Sequence, residues 1–226
     1  MFAAALFQAS VGFGANLIAM PIVVQLDPSL VPGAVLLSTV AVNAFVIFRD
    51  RKGVNKRLVL TATLGAMIGA TLGSLVLRRM SDDSLGIVIA VCVLAAVAIS
   101  LVHRSPARTS SNMAMAGVAS GFSGSTAGIA GPPMALMFAG APAGEFRGTL
   151  GMFFLTTSAT SFTALFAAGR FGSEQLIDGV MLMPATLLAF AMSRPLLRFV
   201  DGAMIRPAVL LLSTVSAVVL LVRLAF

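Results

Sequence analysis

The stretch SGFSGSTAGIAGPP, residues 120–133, decides the fold. It lies inside residues 111–144, a run of 34 residues without a charged side chain. As one straight helix that run would be roughly 51 Å long, whereas the hydrocarbon core of a bilayer is about 30 Å thick. We therefore predict that the run breaks at its glycines and prolines and that the chain turns there.

Non-helical backbone at membrane depth has to be buried by protein or to face a wet cavity, because lipid offers it no hydrogen-bond partner. Residues 120–133 contain Gly121 and Gly124 together with the hydroxyl groups of Ser123, Ser125 and Thr126. Backbone N–H groups released at a break, with hydroxyl groups beside them, suit a small anion. This stretch is therefore predicted to form half of an anion-binding site.

The composition predicts an all-α polytopic integral membrane protein. Of the 226 residues, 58% are hydrophobic and 10% are charged, against about 25% charged in a typical soluble domain. The Lys and Arg residues flank apolar segments, so the net charge of +7 indicates loops beside anionic lipid rather than nucleic-acid binding. A single cysteine excludes an internal disulfide, and no metal site or cofactor is predicted.

The two halves of the sequence repeat. Gly12-Phe13-Gly14 in the first half matches Gly121-Phe122-Ser123 in the second, and Leu37-Ser38-Thr39 matches Leu155-Thr156-Thr157. We predict one integrated membrane domain of two repeats, residues 1–110 and 111–226, each with one broken segment and three transmembrane helices. The eight apolar segments are residues 1–26, 30–48, 58–77, 84–102, 111–144, 148–169, 176–197 and 207–222.

The distribution of Lys and Arg favours a particular topology for these segments. If all eight segments cross, the basic residues divide nine to six between the two faces, but if the two broken segments are re-entrant hairpins they divide eleven to four. Cytoplasmic loops collect Lys and Arg, so the hairpin arrangement is favoured. With three crossings per half the repeats are inverted, and the hairpin tips meet near the midplane, where inverted-repeat transporters bind substrate.

The polar side chains near the midplane are hydroxyl and amide groups, which suit an oxyanion, whereas all eight acidic residues lie near segment ends. A path for cations or protons usually carries an intramembrane carboxylate. Arg147, near the start of the sixth segment, either attracts an anion or extends to the cytoplasmic face. The candidate substrate-binding residues are Gly12, Phe13, Gly14, Asn16, Ser38, Asn43, Gly121, Ser123, Gly124, Ser125, Thr126, Thr156, Thr157 and Arg147.

Two other patterns receive structural interpretations. The GFSG sequence at residues 121–124 has the form of an intramembrane serine protease nucleophile, which requires a nearby base. The one histidine, His103, precedes the serine, whereas the rhomboid base follows it, so no enzyme activity is predicted. Gly65, Gly69 and Gly73 are spaced four residues apart, which predicts close packing of two helices.

The paired glycine-rich motifs, the Ser/Thr-containing helix after each, the basic loop at residues 51–57 and the glycine ladder together resemble the TauE/SafE family of sulfite exporters. The likeness extends over nearly the whole chain. It implies transport of sulfite, sulfonates, thiosulfate or related organic anions across the bacterial cytoplasmic membrane. The expected partners are therefore a small anion and the lipid bilayer, and homo-oligomer formation is left open.

The residues leave two alternatives open beside a secondary transporter. An anion channel would use the same site without an alternating gate. An accessory membrane subunit would use the glycines for helix packing alone.

Overall fold

The structure is a computed structural model that describes residues 1–11, 13–101, 105–196 and 202–225. Within these ranges the chain forms ten helices and no strand, which confirms the all-α prediction. The helices are α1 (Phe2–Val11), α2 (Ala15–Leu26), α3 (Gly33–Asp50), α4 (Lys56–Leu77), α5 (Asp82–Leu101), α6 (Ser110–Ala127), α7 (Gly131–Met137), α8 (Ala143–Ala167), α9 (Ser173–Leu196) and α10 (Gly202–Ala225).

Several of these helices are suited to a bilayer. In the described part of the chain, five stretches are long and apolar enough to cross: Gly33–Gly53, Lys56–Leu77, Ser84–Leu101, Ala143–Ala167 and Ser173–Ser193. The outward face of α4 carries exposed leucine and isoleucine side chains at helical spacing: Leu60, Leu64, Ile68 and Leu72. Such a face is stable only against lipid, so the prediction of a polytopic membrane protein is confirmed.

Each half of the molecule begins with a broken helix. In the first half Gly14 separates α1 from α2 with φ of 105°, and in the second half Gly128 follows α6 with φ of 69°. Side chains other than glycine rarely adopt these angles. A Cβ atom on Gly128 would also lie 1.9 Å from Cε of Met20. The second break thus falls inside the stretch SGFSGSTAGIAGPP.

Helices of the two halves pack against each other in matched pairs. In the predicted repeat, α1 corresponds to α6, α3 to α8 and α4 to α9. Helix α4 packs on α6, and the corresponding pair, α9 and α1, is also in contact. Helix α3 packs on α9, and the corresponding pair, α8 and α4, is also in contact. Helix α5 contacts α7 as α2 contacts α10, while α3 pairs with α8 and α5 with α10. In the described part of the chain, each of these contacts between the two halves is therefore matched by a contact between the corresponding helices.

The two ends of the α6–α7 segment lie together. Arg108, before α6, donates from Nη1 to Oε1 of Glu145 at 2.8 Å and from Nε to the carbonyl oxygen of Met137 at 3.0 Å. Ser105 also donates to the Met137 carbonyl oxygen, at 3.0 Å. The chain therefore leaves α7 beside the point at which it entered α6.

Two further contacts place the loops of the two halves side by side. Asp50, at the end of α3, accepts a hydrogen bond from Nε of Arg147 on α8 at 2.9 Å. Arg170, which precedes α9, donates to the carbonyl oxygen of Met80 in the connection between α4 and α5. Helix α8 thus runs from the α3–α4 loop at its beginning to the α4–α5 loop at its end.

The closest helix crossing joins α4 to α6. A Cβ atom on Gly69 would lie 2.0 Å from the carbonyl oxygen of Val118, and one on Gly65 would lie 2.1 Å from that of Ala114. The contact is reciprocal, because a Cβ atom on Gly121 would lie 2.1 Å from the carbonyl oxygen of Ala66. Small residues let the two backbones touch, as the spacing of the glycines predicted.

Candidate functional site

A cavity lined by both polar and apolar residues lies between the two helix breaks. Its volume is about 40 Å³. A buried water needs about 10–15 Å³ on this measure, so the cavity has room for about three waters or for an ion of a few heavy atoms. The lining residues come from six helices and the two breaks: Gln8, Gly14, Asn16, Leu17, Leu36, Thr39, Asn43, Gly124, Gly128, Ile129, Ala130, Gly131, Pro132, Phe154, Thr157, Ser158 and Ser161.

One hydrogen bond joins the two breaks across the cavity. Asn16, in the first turn of α2, donates from Nδ2 to the carbonyl oxygen of Gly128 at 2.7 Å. Carbonyl groups at the end of a helix have no partner within that helix, and lipid supplies none. The break in the second half is therefore satisfied by a side chain from the first half.

Two buried amide side chains form one wall of the cavity. Gln8 on α1 donates from Nε2 to Oδ1 of Asn43 on α3 at 2.7 Å, and both side chains are buried. Since the amide oxygen of Asn43 accepts this bond, its Nδ2 hydrogens remain as donors for another acceptor. Gln8 was not among the predicted site residues. It could have been identified because a primary amide in an uncharged apolar run is costly to bury without a hydrogen-bond partner.

Hydroxyl groups form the opposite wall. Thr157 and Ser158 on α8 donate to the carbonyl oxygens of Phe153 at 2.8 Å and of Phe154 at 2.7 Å. Ser161 lies one turn further along α8, with its Oγ 3.7 Å from the position of a Cβ atom on Gly124. Because Thr157 and Ser158 donate their hydrogens inside the helix, the amide groups of Gln8 and Asn43 are the main side-chain donors.

Five of the predicted site residues line this cavity: Gly14, Asn16, Asn43, Gly124 and Thr157. Gly12 lies outside the described residues. Phe13 lies beside the cavity, where its ring packs on Gly131 and is 6.0 Å from the ring of Phe146. The motif around the first break thus lies at the cavity.

Predicted residues on α6 serve the break and the helix packing. Ser123 donates to the carbonyl oxygen of Ile129 at 2.6 Å, which ties the end of α6 to the turn that follows. Ser125 and Thr126 donate to the carbonyl oxygen of Phe122, at 3.1 and 2.7 Å. Gly121, as described, packs on α4. Gly121, Ser123, Ser125 and Thr126 are not among the described residues that line the cavity.

Ser38 and Thr156 contact other helices. The carbonyl oxygen of Ser38 accepts a hydrogen bond from Thr186 on α9 at 2.8 Å, while its hydroxyl donates to Val35. The hydroxyl oxygen of Thr156 lies 2.8 Å from that of Thr63 on α4. The backbone of Ser38 and the side chain of Thr156 therefore join helices, and neither residue lines the cavity.

Arg147 lies at one end of the molecule in an ion-pair cluster. Its Nε is 2.9 Å from Oδ2 of Asp50, which is also 3.1 Å from Nε of Arg49. A wider groove of about 670 Å³ at this end is lined by residues that include Phe48, Arg51 and Asp50. The positive charge of Arg147 is thus partnered by a carboxylate and does not line the cavity between the breaks.

Long apolar helices around a cavity that lies between two broken helices indicate the class of protein: a polytopic α-helical membrane transport protein. The model of the family described as "Sulfite exporter TauE/SafE" matches residues 1–220, and the chain belongs to this family. It is therefore a membrane transporter of the sulfite and anion exporter type. No curated protein and no solved structure matches the chain.

Proposed function

We propose that the chain is a secondary transporter of small sulfur-containing anions, namely sulfite, thiosulfate, sulfonates or related organic anions, in a bacterial cytoplasmic membrane. The substrate binds in the cavity between Gly14 and Gly128. The observation that carries this proposal is a cavity of about 40 Å³ between the two helix breaks, which amide and hydroxyl side chains line in part and which has no charged side chain among its described lining residues. Its size suits a trigonal or tetrahedral oxyanion.

The donors for such an anion come chiefly from the first half. The amide groups of Gln8 and Asn43 line one wall, and helix α2 begins at Ala15 beside the cavity. The first N–H groups of a helix lack partners within it and carry its positive end. The first turn of α7 contains Pro132 and Pro133, which have no N–H group, so we assign the backbone donors to α2.

Movement of one half against the other would open the cavity to each side in turn. We infer that the halves are inverted and that α6 and α7 form a re-entrant hairpin. The contacts of Arg108 with Glu145 and Met137 support this, since both ends of the hairpin lie at one face. The pairs Arg147–Asp50 and Arg170–Met80 support it too, because they fit the topology with eleven basic residues on one face.

The proposal is tested by counterflow of labelled sulfite in liposomes that contain the purified chain. Asn43→Asp keeps the oxygen that accepts from Gln8 and replaces the Nδ2 donor with a carboxylate oxygen. We expect at least a tenfold fall in the initial rate, because a hydrogen bond to a charged group contributes about 1.5–3 kcal/mol. The matched control is Asn112→Asp in the first turn of α6, outside the cavity, which should keep the wild-type rate.

Three outcomes separate the alternatives. Stimulation of uptake by sulfite inside the vesicles indicates a carrier, whereas uptake without such stimulation indicates a channel. Absence of flux from folded protein would indicate an accessory subunit and contradict the proposal. An Asn43→Asp variant that transports at the wild-type rate would contradict the position of the site.

A further inference from the structure

We infer, on the basis of the proposed function, that the cavity selects its substrate by valence. It binds anions of a single negative charge, and sulfite enters it as hydrogensulfite, so that a proton crosses the membrane on the substrate itself.

The helices that surround the cavity carry no charge near it. The sequences of α1, α2, α6 and α7 contain no Asp, Glu, Lys, Arg or His. On α3 and α8 the charged residues are Arg49, Asp50, Glu145 and Arg147, and each belongs to an ion pair at one end of the molecule. The described lining residues are accordingly all neutral.

The described titratable groups on the helices behind this first layer do not line the cavity either. Glu174 and Asp178 lie in the first two turns of α9, and Lys56 and Arg57 lie at the start of α4. Cys92 on α5 is also absent from the cavity lining. A bound anion therefore meets neutral dipoles and no cation among the described lining residues.

Neutral donors favour a low charge on the ligand. The cost of taking an ion out of water rises with the square of its charge and is about fourfold larger for a dianion than for a monoanion of the same size. The attraction of fixed amide dipoles rises only in proportion to the charge. Without a cation in the wall, the balance favours the monoanion.

The proton balance is simple. A sulfite dianion takes one proton from water on one side to give hydrogensulfite, which crosses and releases the same proton on the other side. No side chain of the protein gains or loses a proton in this sequence. Transport of sulfite is then linked to proton movement without an intramembrane carboxylate, which agrees with the position of all eight acidic residues near segment ends.

The test measures equilibrium binding of three probes to the purified full chain, from mildly acidic to mildly alkaline pH. Methanesulfonate is a monoanion throughout, thiosulfate is a dianion throughout, and sulfite loses its second proton within the range. We expect methanesulfonate affinity to be constant and thiosulfate affinity to be at least tenfold lower. The apparent affinity for sulfite should fall about tenfold per pH unit above its second ionisation, with uptake of one proton from the buffer.

Sulfite binding that is independent of pH, or thiosulfate binding as tight as that of methanesulfonate, would overturn the valence inference alone. Failure of all three probes to bind to folded protein would overturn the proposed function and the inference with it.

A pair of charge variants adds a second readout. Gln8→Lys places a cation at the cavity wall and should raise thiosulfate affinity relative to methanesulfonate about tenfold. Gln25→Lys makes the same change in the last turn of α2, outside the cavity, and should leave that ratio unchanged. An unchanged ratio in folded Gln8→Lys would contradict the inference, and if that variant fails to fold, the three-probe measurement decides.

Discussion

At the scale of single residues, the two breaks depend on glycines with a positive φ. Gly128 has φ of 69° and its missing Cβ leaves space for Cε of Met20, while Gly14 has φ of 105° and leaves space for the ring of Phe7. At each position the backbone angle disfavours a side chain, and a Cβ atom would require the neighbouring side chain to shift. The position of the cavity therefore depends on the absence of a Cβ atom at Gly14 and at Gly128.

We expect Gly128→Ala to destabilise the protein and to reduce anion binding, because the new Cβ would meet Met20 at 1.9 Å beside the cavity. Gly140→Ala is the matched control. Gly140 also has a positive φ, of 84°, but nothing lies within 4 Å of its Cβ position. It should show the cost of the backbone angle alone, about 1–2 kcal/mol. Thermal unfolding can be followed with a thiol-reactive dye at Cys92, and equal losses in both variants would contradict this explanation.

Residue identity predicted the breaks better than it predicted the cavity wall. Glycine, proline and serine in an uncharged run indicated where the helix would end, since those residues have local conformational preferences. The directions of the Thr156 and Thr157 side chains could not be predicted from the local sequence, because they depend on tertiary packing. These neighbours lie about 100° apart around α8, and packing turns Thr156 to Thr63 and Thr157 to the cavity. Gln8 was missed because its partner Asn43 lies 35 residues away.

At the scale of elements, the crossing of α4 and α6 holds the hairpin of the second half against a transmembrane helix. Gly69→Ala should lower the thermal stability markedly, because its Cβ would lie 2.0 Å from the carbonyl oxygen of Val118 and one backbone must move. Gly144→Ala in the first turn of α8 is the control, since no atom lies within 4 Å of its Cβ position. It should be neutral or slightly stabilising. An unchanged unfolding temperature in Gly69→Ala would show that the helices separate without cost.

The glycine ladder also shows what a repeated spacing can and cannot predict. Glycines four residues apart on α4 indicated one contact face, and that face is the one that packs on α6. The spacing did not identify the partner helix. Gly121 was therefore interpreted as a ligand-facing residue, although in the structure it is the reciprocal half of the same crossing.

At the scale of the whole molecule, inverted halves predict which loops share a face of the membrane. With Cys92 replaced, single cysteines at Lys52 and Ala141 should react with an impermeant reagent from one side. Single cysteines at Ser81 and Gly172 should react from the other side. The reason is that Arg147 contacts Asp50, and Arg170 contacts the Met80 carbonyl. Labelling of Lys52 and Ala141 positions from opposite sides would show that residues 111–144 cross the bilayer.

The prediction of inverted halves rests on two statistical signals in the sequence, internal repetition and the distribution of basic residues. Both signals are read over long distances along the chain, so errors in the bounds of individual helices do not remove them. They could not reveal that Arg147 is paired with Asp50, because the pairing depends on how α8 meets the end of α3. A basic residue near a helix start looks the same whether it holds a loop or attracts a ligand.

The hydrogen bond from Asn16 to the Gly128 carbonyl means that neither half is chemically complete by itself. Residues 111–225 placed alone in lipid would leave the carbonyl oxygen of Gly128 without this donor, and the hydrocarbon around it could not replace the lost hydrogen bond.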